Sequence, residues 1–90
     1  MRTNPANQNE LLEILSLLAN VRPANDLENS HLVEQCTELA RYLATPEAAP
    51  LHVPEIVWHF LSDPDIRFKD PRYAEAQLAG LRAAISRPNP

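Results

Sequence analysis

Glycine is nearly missing from this chain of ninety residues: Gly80 is the single one. Tight β-hairpin turns need positive φ, which glycine supplies at least cost, so the scarcity argues against a hairpin-built sheet. It also leaves no glycine-rich loop to cradle a phosphate and no Gly-x-Ser-x-Gly elbow to present a nucleophile. Cysteine is just as scarce. Cys36 stands alone, so no intramolecular disulfide can form, and a reducing cytoplasm is the expected setting. Long apolar runs are absent too. None approaches the length that spans a bilayer, and MRTNPANQNE carries no apolar signal core. Lysine appears once against seven arginines, a bias from which no function follows.

Proline, by contrast, is plentiful, with nine in ninety residues. Proline starts helices well and stops them well, and here it divides the sequence into helical segments. The length suits one domain over residues 1–90, near the lower limit for an unaided core, with short tails at about 1–4 and 87–90.

Helical spacing dominates every long segment. A first helix is predicted from Pro5 to Asn20 with Asn4 as its cap, and Leu11, Ile14, Leu15 and Leu18 form its core stripe. Leu12 and Leu17 widen that stripe on both flanks, as expected of a central helix or of a face shared with a partner. The second helix, Asp26 to Ala44, opens on the capping-box pair Asn25 and Glu28. Leu32, Cys36, Leu39, Ala40 and Leu43 face its core, and the misplaced Leu27 suggests a regular start nearer Asn29 or Ser30. A short third helix covers Pro54 to Ser62, and a fourth runs from Pro71 to Ser86, where Arg87-Pro88 ends it. The small residues Ala76, Gly80, Ala83 and Ala84 leave one side of that last helix smooth enough for another backbone to approach. The fold expected is all-α: a small irregular four-helix bundle with three longer helices and a short third.

The stretch DPDIRFKDPRYAEAQ, residues 63 to 77, looks most like a site. Its plain reading is a corner: Asp63-Pro64 and Asp70-Pro71 each pair a capping carboxylate with a first-turn proline. Asp65 and Arg67 would pair locally, and Ile66 and Phe68 would point inward. A calcium loop wants oxygens at alternate positions and a glycine at the turn, whereas here Arg67 and Lys69 follow. His31, His52, His59 and Cys36 lack the close pairing of zinc ligands, and Glu55 with His59 reads as a surface pair at i,i+4. No metal and no cofactor is expected, and catalysis is not expected.

Charge is uneven. Residues 1–65 carry ten acids against Arg2, Arg22 and Arg41, a net of −7, and residues 66–90 carry five cations against Asp70 and Glu75, a net of +3. A dipolar chain suits charge-complementary binding to a second copy or to another protein. The expected function is that of a small acidic, non-catalytic protein–protein interaction module, an adaptor, inhibitor or immunity-like protein. Small acidic helical proteins that neutralise bacterial toxins share this size and charge, a likeness of fold class alone. Candidate contacts to an unknown protein partner are Trp58, Tyr42, His31, Glu38, Arg67 and Arg72, with the large aromatics as anchors. Leu12 and Leu17 are the candidates for a homodimer interface. Two readings compete. One is a metal-dependent or enzymatic module built on the Asp63–Asp70 corner with His59, and the other a nucleic-acid accessory protein contacting phosphate through Arg67, Lys69 and Arg72. An acidic total charge weighs against the latter.

Overall fold

The computed structural model describes residues 3–86; the expected tail at 87–90 and the Arg87-Pro88 helix stop lie outside the described residues. The protein is all-α, with no strand among them. Five helices follow in order: α1 (Gln8–Asn20), α2 (Asp26–Leu43), α3 (Glu55–Ser62), α4 (Pro64–Lys69) and α5 (Pro71–Ile85), with a 3-10 turn at Pro46–Ala48.

Two starts obey one rule. The Asn25 side chain accepts from the Glu28 amide at 2.9 Å, and the Glu28 carboxylate accepts from the Ala24 amide at 2.9 Å. Asn7 and Glu10 repeat this arrangement around the start of α1, so the helix begins at Gln8 under Asn7 and not at Pro5 under Asn4. Pro5 is instead buried. Helix α2 is regular from Asp26, and Leu27 is left 67% exposed on its first turn.

The greater difference is at the corner, where residues 64–69 form a helix of their own. Pro64 and Arg67, three apart, face inward, and Ile66 is 47% exposed, against the inward orientation expected of it, while Phe68 is half-buried. Asp65 pairs with Lys69 at 3.0 Å and not with Arg67. Of the two aspartate caps only Asp70 caps a helix, accepting from the amides of Arg72 and Tyr73 at 3.1 and 3.2 Å. The Asp63 side chain makes no cap hydrogen bond to α4, although its carbonyl accepts from the Arg67 amide at 3.0 Å.

Helices α2, α3, α5 and α4 close a ring, each packed on the next in that order. Helix α1 lays its stripe over this ring, with Leu11, Leu15 and Leu18 essentially buried, and its backbone comes closest to α5. Phe60, Leu39, Cys36, Val57 and Leu81 complete the centre. Gln8 clasps the α2–α3 connection to α1: its amide nitrogen donates to the His52 carbonyl at 2.9 Å and its oxygen accepts from the His52 amide at 2.8 Å. At Gly80, on the smooth side of α5, no second backbone comes close among the described residues; an added Cβ would meet only the Ile56 side chain, at 3.5 Å.

Candidate functional site

The corner's chemistry begins with a missing hydrogen. In a helix the Phe60 carbonyl would accept from the amide four residues on, but that residue is Pro64, which has none. Arg67, one turn into α4, supplies the substitute: its Nη1 donates to the Phe60 carbonyl at 2.5 Å and to Gln77 Oε1 at 2.6 Å. The guanidinium also lies 4.0 Å from the centroid of the Phe60 ring, and a cation there suits the negative C-terminal end of α3.

From Gln77 the network continues outward. Its amide nitrogen donates to Asp63 Oδ2 at 2.9 Å and to the Tyr73 hydroxyl at 3.2 Å, and that hydroxyl donates to Asp63 at 2.5 Å. Asp63, Arg67, Tyr73 and Gln77 thus join the end of α3 to α4 and α5. Arg67 is only 8% exposed, and its Nη2 has no hydrogen-bond partner. Among the described residues no carboxylate lies within ion-pair distance of it; Gln77 stands between its charge and Asp63.

The electrostatics follow from these contacts. The Tyr73 hydroxyl, with help from Gln77, holds the Asp63 carboxyl below its ordinary value, and the same hydrogen bond pushes the Tyr73 hydroxyl up. Burial pushes the Cys36 thiol up to about 11, against a smaller opposing effect of Arg67. Burial also lowers the Arg67 guanidinium, which as an arginine keeps its charge. Asp63, Tyr73 and Cys36 are all moved away from neutrality, whereas a general acid, base or nucleophile works best when poised near it.

The three aspartates of the corner point to three places: Asp63 to Tyr73 and Gln77, Asp65 to Lys69 and Asn29, and Asp70 to the α5 amides. His59 pairs with Glu55 at 3.6 Å on an exposed face, and His31 and His52 are exposed while Cys36 is buried. Among the described residues no three His, Cys, Asp or Glu side chains gather as metal ligands would. Arg67 is withdrawn from the surface, which corrects its reading as a partner or phosphate contact; Lys69 is occupied by Asp65, and Arg72 is exposed. Trp58 is 36% exposed and stands outside the core cluster, whereas Tyr42 packs half-buried against that cluster. Glu38, exposed, accepts from the Thr3 hydroxyl at 3.3 Å. Leu12 is half-buried and Leu17 is 55% exposed.

Sequence reasoning missed Gln77 and Asn29, both buried and both polar. Gln77 was detectable as a polar residue beside Leu78 and Leu81 on the core stripe, and the need for Arg67 was detectable in the four-residue spacing of Phe60 and Pro64. Comparison with protein-family models, curated proteins and solved structures gave no match. No helix among the described residues is long and apolar enough to cross a membrane.

Proposed function

We propose that this protein is a small non-catalytic interaction module that binds another protein through the exposed side of α3, and that it works in the cytoplasm, where Cys36 stays a thiol. The exposure of Trp58 carries this reading. A small bundle with one tryptophan would ordinarily use so large a side chain in its core, and here Phe60 takes that place. Tryptophan left on a surface is the residue that most often dominates a binding hot spot. The network at the corner supports the same reading, because its side chains hold helices together and its titrating groups sit away from neutral pH.

Trp58→Ala decides it. The variant should melt within a few degrees of the parent, since a residue outside the core cluster contributes little to stability. Affinity capture from the native cell should recover a protein that the parent holds and the variant releases. A partner retained equally by both, or a collapse of stability in the variant, removes the reading. A thermal shift specific to one divalent ion would favour the metal-dependent alternative in its place.

A second reading, self-association through α1, is favoured by one observation: Leu17 is 55% exposed on a helix that is not central.

A further inference from the structure

The turn after α1, the α4 helix and α5 border a cleft of about 450 Å³ in which Arg67 is the one member of the foregoing network. Pro23, Phe68, Ala74 and Leu78 give it an apolar wall, and the same residues with Arg22 and Arg67 continue into a smaller cavity of about 70 Å³. Three arginines border the cleft, Arg22, Arg67 and Arg82, against the single acid Glu75.

The three cations are unequal. Arg22 and Arg82 are exposed, and neither has a carboxylate within ion-pair distance among the described residues. Arg22 Nη1 donates to the Ala19 and Val21 carbonyls, at 2.7 and 3.1 Å, which leaves its other nitrogens for a ligand. Arg82 reaches Asn20 Oδ1 at 3.4 Å. Arg67 lies behind them, 8% exposed, with no carboxylate in direct ion-pair contact among the described residues and one terminal nitrogen unpartnered. A low-dielectric wall backed by a cation without a direct counter-ion focuses positive potential into the cleft it borders. This occurs in a molecule whose net charge is −4.

Pro23, Phe68, Ala74 and Leu78 are the more buried and the Arg22 and Arg82 guanidinium groups the more exposed, so the cleft matches an apolar group flanked by carboxylates. We propose that it receives an acidic peptide segment of a partner protein, with one apolar side chain against Phe68 and Leu78 and neighbouring carboxylates on Arg22 and Arg82. A small carboxylate would leave the apolar wall of Pro23, Phe68, Ala74 and Leu78 uncovered. A nucleic acid would bring a long polyanion against an acidic surface. This inference rests on the protein being an interaction module and names the chemistry of one partner surface.

A displayed library of short random peptides, panned against the full-length protein, tests it. The selected sequences should be rich in aspartate and glutamate around one leucine, isoleucine or phenylalanine. A synthetic copy of the leading sequence should shift the backbone amide resonances of Phe68, Ala74 and Leu78. Its affinity should fall about tenfold in Arg22→Gln/Arg82→Gln and weaken as salt rises toward about 0.3 M. Because Arg22 also caps α1, Arg82→Gln alone keeps that cap and should show a smaller loss with unchanged helicity. The proposal is overturned by selected peptides without acidic excess, by no selection at all, or by an affinity that the double substitution leaves unmoved. Displacement of the peptide by octanoate or by an oligonucleotide at matched concentration overturns it equally. Acidic peptides lost on Trp58→Ala but kept in the arginine variants would overturn the cleft while leaving the interaction reading in place.

Discussion

At the residue scale the molecule is organised around a carbonyl that its own sequence leaves unpartnered. Pro64 removes the amide due to Phe60, and Arg67 replaces it with a charged donor that also holds Gln77. Arg67→Met keeps the length and apolar stem of the side chain but strands the Phe60 carbonyl and Gln77 Oε1 in a buried setting. A loss of about 2–3 kcal/mol follows from the cost of unsatisfied buried polar atoms and of lost bonds to a charged group. Urea unfolding measures it, and a loss under about 1 kcal/mol would remove this account of Arg67. Asp63 titrates as a consequence of the same network. A carboxyl held below its ordinary value contributes stability that is fully present above the unfolded-state pKa and is lost as pH falls through the folded-state pKa. Stability should therefore drop on acidification below about pH 4. Asp63→Asn should show a flatter acid limb than the parent, with the two curves converging at the acid end. Parallel curves throughout would show that Asp63 gains nothing from Tyr73.

At the scale of elements, what the sequence reveals depends on length. Helices α1, α2, α3 and α5 run for eight residues or more, and their core stripes are legible in the spacing of their apolar residues. Helix α4 has six residues, under two turns, so no period can establish itself. Its apolar Ile66 then looks like an anchor although the buried residues are Pro64 and Arg67. The inward-apolar rule fails there because an orphan carbonyl and a glutamine side chain waited inside for a donor. The start of α1 was open to a better reading, since Asn7 and Glu10 have the same spacing as Asn25 and Glu28. Gly80 gives a test at this scale. It sits in the interior of α5 without a positive φ, and a methyl group added there meets Ile56 only at ordinary contact distance. Gly80→Ala should stabilise the protein by about 0.5–1 kcal/mol, through the lower entropy of the unfolded chain and better helix propensity. A raised denaturation midpoint with an unchanged slope is the expected result. A destabilised variant would show that some second backbone does approach that side of α5.

At the scale of the whole molecule, the question is how α1 meets solvent. The ring of α2, α3, α5 and α4 is closed without it, and α1 covers the ring from one side. A helix so placed has one face to bury, yet its apolar arc extends past that face to Leu12 and Leu17. Helix α5 borders the side of α1 that carries Ser16, Ala19 and Asn20, and Leu17 lies away from it, over half exposed. Burying the exposed part of Leu17 against a second copy would contribute about 1 kcal/mol per leucine. In a two-fold dimer each residue acts twice, so Leu17→Glu both removes that burial and places two carboxylates in one interface. The parent should sediment as a dimer at micromolar concentration and the variant as a monomer of unchanged helicity. A monomeric parent ends the homodimer reading and leaves Leu17 as an isolated surface leucine of the kind most proteins carry. A variant that stays dimeric moves the interface off α1.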